Sequence, residues 1–220
     1  MIQFPKYLII AMLLMIPLKT RAQQDPKAEP YLKAVSDQFD METGYLIQMD
    51  YIREDIMRGS SAEGEGTIMM KGIKYKIEVN EFIVYFDGKK LYSQNTYDEE
   101  VYVSEPDPDQ PGYLQAVPIK IIKSYEQDFK YMFIGRKPFH GKERVEIQLY
   151  PKNVSGPYSM LKIFVNPHNQ KLEAFQLKHK EGIQYTMFLT DIKGNQSYGE
   201  SFFLFDPDAY PETEIIELID

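Results

Sequence analysis

The chain contains no cysteine and no tryptophan, and only three histidines in 220 residues. Without cysteine there is no disulfide, no thiol nucleophile, no thiolate metal site and no lipid attached to an N-terminal cysteine. His140, His168 and His179 fall in or beside turn-forming stretches, with no Asp, Glu or His at metal-ligand spacing on one element. No Gly-x-Ser-x-Gly stretch supplies a nucleophile elbow, and no glycine-rich loop cradles a phosphate. Asp98-Glu99-Glu100 gathers carboxylates, but an exposed connection offers no desolvation to raise a pKa. Asp107 and Asp109 lack the ligand order and glycine of a calcium loop. No catalytic residue, metal or cofactor is expected, and the chain does not read as an enzyme.

Positive charge is also scarce, with 25 Lys and Arg against 33 Asp and Glu and a net charge of −8. That balance disfavours nucleic acid and anionic headgroups as partners. Long apolar runs are limited to Tyr7–Leu18, too short to cross a bilayer comfortably. With Lys6 before it and Thr20-Arg21-Ala22 after it, the run has the layout of a secretory signal peptide, residues 1–22, cleaved near Ala22. Loss of Lys6, Lys19 and Arg21 takes the net charge from −8 to −11. An exported chain of this size without cysteine suits a bacterial periplasm, and residues 23–220 are expected to form one domain.

What the chain has in excess is aromatic and β-branched residues in alternating patterns. It carries 17 Tyr and 13 Phe, types that suit a pleated surface covered on one side. In Tyr75–Tyr92, Tyr75, Ile77 and Val79 alternate with Lys74, Lys76 and Glu78, Phe82–Phe86 is a second run, and Asp87-Gly88 is a hairpin turn. Tyr45, Ile47, Met49 and Tyr51 mark a long first strand. Residues 58–64 read as a polar turn before a return strand with Ile68 and Met70. Val101–Val103, Phe129–Ile134, Glu143–Tyr150, Met160–Val165, Lys171–Leu177 and a run from Ile183 to Leu189 continue the series. Gly135–Gly141 and Asp191–Asn195 read as turns, and Tyr198–Phe205 as a closing strand. Ser104–Gly112 is a proline-rich acidic loop, and the acidic tail from Asp206 carries enough Ile and Leu for part of it to dock. Helices are expected near the mature start, with Tyr31, Leu32, Val35 and Phe39 on one stripe, and at Pro118–Tyr125 with Ile119 and Ile122 on its apolar side. The sum is about 10–11 antiparallel strands in a sheet wide enough to curl, with two or three helices.

Such a sheet with so few helices encloses either a packed core or a hollow. Eight methionines beyond residue 22 favour a hollow that accepts flexible hydrocarbon. Alternation nominates Tyr45, Ile47, Met49, Tyr51, Ile68, Met70, Tyr75, Ile77, Val79, Phe82, Val84 and Phe86 as its lining, with Leu32, Val35, Ile119 and Ile122 on its cover.

The order of short motifs carries a resemblance over nearly all of residues 23–220. A signal peptide, a helix ending in Phe39, Gly64-Glu65-Gly66-Thr67-Ile68, Asp87-Gly88-Lys89-Lys90-Leu91-Tyr92, Leu149-Tyr150-Pro151-Lys152 and Phe203-Leu204-Phe205-Asp206-Pro207 together resemble the periplasmic lipoprotein carriers of the LolA-like family. Lys71-Gly72-Ile73 stands where that family often has a basic residue followed by Arg-Pro, and Tyr92 where it often has Trp. The resemblance implies an incomplete, strongly curved antiparallel β-barrel with its open side covered by helices. It also implies a monomeric carrier that binds the acyl chains of lipoproteins and takes them from inner to outer membrane. The partners implied are an inner-membrane lipoprotein-releasing transporter and an outer-membrane acceptor. The alternative is a sensor or binding module of the same fold, which recognises lipidated or unfolded envelope proteins without ferrying them.

Overall fold

The computed structural model describes residues 24–107 and 118–218. The signal segment, Asp109 and most of the proline-rich loop therefore lie outside the described residues. Among those described, helices α1 (Glu29–Asp37), α2 (Pro118–Lys123) and α3 (Tyr125–Asp128) accompany twelve strands in one sheet. The strands are β1 (Gly44–Asp55), β2 (Ser60–Lys71), β3 (Lys74–Val79), β4 (Phe82–Phe86), β5 (Leu91–Asn95) and β6 (Glu100–Ser104) in the first half. The second half contributes β7 (Phe129–Phe139), β8 (Lys142–Pro151), β9 (Tyr158–Val165), β10 (Leu172–His179), β11 (Ile183–Gln196) and β12 (Glu214–Glu217). Their spatial order is β12-β6-β5-β4-β3-β2-β1-β11-β10-β9-β8-β7. The sheet is open, because β12 and β7 do not meet, and it is antiparallel except where β12 joins β6 in parallel.

Two meanders, β2–β6 and β7–β10, are built from short hairpins, and β1 paired with β11 joins them. Register places one apolar row across the centre: Ile47 opposes Ile68, Ile68 opposes Ile77, and Ile77 opposes Val84. A second row runs from Tyr51 through Met187, Phe175, Ile163 and Ile147 to Phe133. Side chains from both halves of the sheet, among them Tyr75, Phe86, Ile147 and Leu149, belong to one buried cluster with Leu32, Val35 and Phe39 of the α1 segment. Residues so far apart along the strand order can share one cluster only if the sheet curls around the helices.

Helix α1 begins without a side-chain cap, but Glu29 and Pro30 occupy its first turn, where an acid complements the dipole and a missing N–H costs nothing. Asp25 fixes the preceding segment to edge strand β7, its N–H donating to the Tyr131 carbonyl at 3.2 Å and its carboxylate accepting from the Phe133 N–H at 3.2 Å. At the other end, the Gln38 side-chain oxygen accepts from the Leu172 N–H at 3.0 Å. The Lys123 ammonium donates to the Ser36 carbonyl at 2.6 Å, tying α2 to α1.

Several boundaries differ from the sequence expectation. Strand β2 starts at Ser60, because the twelve-residue β1 offers a partner to each residue from Ser60 to Gly64. Strand β7 runs through Gly135 to Phe139 with a bulge at Gly135, and Pro138 is tolerated because β7 is an edge strand. The turn there shrinks to His140-Gly141, both at positive φ, as a tight two-residue hairpin requires. Strand β11 continues through Asp191–Asn195 to Gln196, since β1 extends far enough to pair with it. Tyr198–Phe205 is not a strand: Glu200–Phe203 forms a 3-10 turn, and Phe203 and Phe205 are buried. Phe205 packs against Tyr85 and Tyr92 on the outer face of β4 and β5, at ring-centre distances of 6.0 and 5.7 Å. The acidic tail docks as β12, which makes the strand count twelve.

Burial lifts the phenols of Tyr75, Tyr85 and Tyr125 well above their ordinary range. Tyr131 is pushed up to about 12, by burial first and then by the Glu29 and Glu126 carboxylates. A phenol is neutral when protonated, so this contribution to stability is complete below pH ~10, where unfolded tyrosines also stay neutral. It is lost as unfolded tyrosines ionise and folded ones do not, up to the folded pKa of about 12 at Tyr131. The urea midpoint should therefore fall steeply between about pH 9 and about pH 12, and less so in a Tyr131→Phe variant.

Candidate functional site

The inner face of the curled sheet is not filled. A cavity of about 320 Å³ remains between the central strands and α2, within the ~300–1,000 Å³ of sites that hold small molecules. Strands β1 to β3 supply Ile47, Met49, Tyr51, Ile68, Met70, Lys74, Tyr75, Ile77 and Val79, and the β2–β3 turn supplies Gly72 and Ile73. The opposite wall comes from Tyr158, Leu161 and Ile163 of β9, Leu172, Phe175 and Leu177 of β10, and Tyr185, Met187 and Leu189 of β11. Phe39 lies at one end, and α2 closes part of the top with Ile119, Ile121 and Ile122.

The chemistry is nearly pure hydrocarbon. Lys74 is the one charged residue among the described lining, and the polar tips of Tyr51, Tyr75, Tyr158 and Tyr185 are the other polar side-chain groups. The Tyr51 hydroxyl accepts from the Asn80 side-chain amide at 2.7 Å. Gly66 opposes Met49 and Val79 on the neighbouring strands, and a Cβ there would come within 2.8 Å of Met49 Cε and 2.9 Å of Val79 Cγ2. The glycine therefore leaves room for two lining side chains to lean across β2.

Burial is uneven around the trough, and Met70, Gly72, Ile73 and Lys74 near the Phe39 end are half-buried. Phe39, Ile47, Tyr75, Ile119 and Leu172 are buried, whereas Tyr51, Val79, Tyr158, Leu177 and Tyr185, towards the opposite end of the strands, are half-buried. Partly exposed side chains thus border the trough at both ends, at the β2–β3 turn and at the rim formed by the β1–β2, β3–β4 and β10–β11 turns.

Eight of the twelve lining positions nominated from alternation border the cavity. Tyr45, Phe82, Val84 and Phe86 share the inward face but stand outside its lining. Tyr45 packs edge-on against Phe39 at 5.4 Å, its hydroxyl accepting from the Asp40 N–H at 2.8 Å. Phe86 is fully buried against Tyr75 at 5.5 Å, Val84 packs on the same core, and Phe82 is 53% exposed at the end of its strand. On the cover, Ile119 and Ile122 reach the cavity, while Leu32 and Val35 anchor α1 in the core beside it. Alternation did not nominate the nine lining residues of β9 to β11, although the pattern of Tyr185, Met187 and Leu189 is visible in the sequence.

No protein-family model and no curated protein sequence matches the chain. Among solved structures, an uncharacterised conserved protein of Thermus thermophilus superposes with a TM-score of 0.54 at 7% identity, covering 87% of this chain and 99% of that one. The two share a fold. A LolA superfamily protein of Nitrosomonas europaea is also similar, at a TM-score of 0.43 and 10% identity over 81% of this chain and 97% of that one. So is the Mycobacterium tuberculosis lipoprotein LppX, at 0.40 and 9% over 80% and 99%. At 7% identity the likeness to the Thermus protein concerns architecture alone.

Proposed function

We propose that the protein is a LolA-like carrier of the periplasm, which holds an acyl chain of a lipoprotein in the trough and shields it from water between inner and outer membrane. The observation that carries this reading is a wall of two dozen described residues with a single charge among them. A site for a polar metabolite would need convergent hydrogen-bonding groups, and the lining does not provide them. Each methylene moved from water to such a wall gains about 0.8 kcal/mol, so ten supply about 8 kcal/mol before the cost of association. That is enough for a hydrocarbon chain to be the handle by which a larger cargo is held.

Under this reading Ile47, Met49, Ile68, Ile77, Phe175, Met187 and Leu189 contact the chain, and α2, with Ile119 and Ile122, is the movable part of the cover. The test is uptake of a fluorescent acylated peptide by the purified protein, with native mass spectrometry of protein isolated from the periplasm. Saturable binding of one acyl chain and co-purified lipidated material are expected. Absence of uptake by protein shown to be lipid-free would remove the carrier reading.

A further inference from the structure

Three neighbouring turns at the Tyr158 and Tyr185 end of the trough form a corner unlike the rest of this acidic surface. In the β1–β2 turn, Ile56 and Met57 are 56% and 81% exposed, and in the β8–β9 loop Val154 is 74% exposed. The turns are joined to one another. The Ile56 N–H donates to the Gly182 carbonyl of the β10–β11 turn at 3.0 Å. Met57 lies across Gly182 so closely that a Cβ there would stand 2.8 Å from Met57 Cγ. The Lys180 N–H donates to the Pro157 carbonyl at 2.8 Å, and its ammonium bonds the Val154 carbonyl. The corner is therefore one continuous projection, and Tyr158 and Tyr185, which follow two of the turns, line the trough.

Its charge is inverted relative to the chain. Residues 56–59, 152–157 and 180–182 hold Arg58, Lys152 and Lys180 against Glu181, in a protein of net charge −8. The nearby Asp55 carboxylate is buried, 3.8 Å from the Arg58 guanidinium, which is itself 84% exposed. Large apolar tips flanked by Arg58 and Lys180 are the composition of a surface that dips into a phospholipid interface, with apolar groups among the acyl chains and cations at the phosphates. A protein partner fits less well, since the apolar groups project from turn tips and form neither a groove nor a flat face.

We propose that this corner docks the protein on a phospholipid bilayer, with Ile56, Met57 and Val154 inserted and Arg58 and Lys180 at the headgroup phosphates, while the Lys152 ammonium holds the Glu126 and Gln127 carbonyls at 2.9 and 2.7 Å. The purpose of the docking rests on the carrier reading: with the mouth held at the membrane, an acyl chain passes between bilayer and trough without crossing water. The docking itself is tested separately. Purified protein is floated with vesicles of equimolar phosphatidylcholine and phosphatidylglycerol, and uptake of a soluble acylated peptide is measured in parallel. The parent should float, and an Ile56→Asp/Met57→Asp variant should bind vesicles at least about tenfold more weakly while retaining peptide uptake and its circular dichroism. Arg58→Glu should weaken binding and its salt dependence, and Ile215→Asp, exposed on edge strand β12, should change neither. Parent protein that takes up peptide but does not float, or a double variant that floats like the parent, overturns the docking and leaves the carrier reading intact. Parent that floats but takes up no peptide removes the carrier reading and leaves the docking.

Discussion

Ile77→Asp should weaken uptake of the acylated peptide at least about a hundredfold with little loss of stability. Ile77 sits in the middle of β3, half-buried, beside Ile68 on the trough wall and opposite Val84 of the filled core. In the empty protein the carboxylate can stay hydrated through the open side. When a hydrocarbon chain enters, that water must leave, and an ionised carboxylate is enclosed by a wall that is apolar apart from Lys74 at the start of β3. Stripping an unpaired charge costs several kcal/mol, and about 2.7 kcal/mol already corresponds to a hundredfold. Glu78→Ala on the adjacent residue removes a charge from the opposite face of β3, where Glu78 pairs with Lys76 at 2.7 Å, and should leave uptake unchanged. If Ile77→Asp binds the peptide like the parent, the trough is not where the chain goes.

Phe86→Ala should produce the largest loss of stability of any single truncation on the inner face, about 3–5 kcal/mol by equilibrium urea unfolding. Phe86 has no exposed surface, pairs in register with Tyr75 and Leu91, and supports the Tyr75 ring that forms part of the trough wall. Domains are stable by only about 5–15 kcal/mol, so the loss is a large fraction of the total. Phe202→Ala, 37% exposed on the 3-10 turn, should cost under about 1 kcal/mol and serves as the comparison. Ile77 and Phe86 thus separate two roles within one face: Ile77 borders space, Phe86 fills it.

How far the sequence carried these conclusions differs from strand to strand. Ile47, Met49, Ile68, Ile77 and Val79 were legible as one wall because a sheet covered on one side enforces a period of two, and short hairpins fix which strands are neighbours. The opposite wall was visible as a pattern in Tyr185, Met187 and Leu189, but its use was not. Only the pairing of β1 with β11 brings Met187 opposite Tyr51, and a contact between residues so distant leaves no local trace. Phe86 and Tyr45 could not be told from true lining residues, since alternation reports the face of a strand and not whether the space before it is filled. At Asp191–Asn195 turn-forming composition gave way to a long partner strand, and at Tyr198–Phe205 alternating aromatics belong to a cover packed over the outer face. In both places tertiary contacts outweigh local propensity.

The seam between β1 and β11 also governs the order in which the molecule can assemble. Each meander closes through neighbours in the chain, so β2–β6 and β7–β10 can zip up locally as soon as they are present. The strand that unites them waits for almost the last part of the sheet to be made, and Met49 must find Leu189 across most of the polypeptide. Closing so long a loop is slow, and until it closes β1 presents one edge of unpaired backbone. The folding rate should therefore respond to substitutions along this seam, such as Met49→Ala or Leu189→Ala, more than to those in either meander.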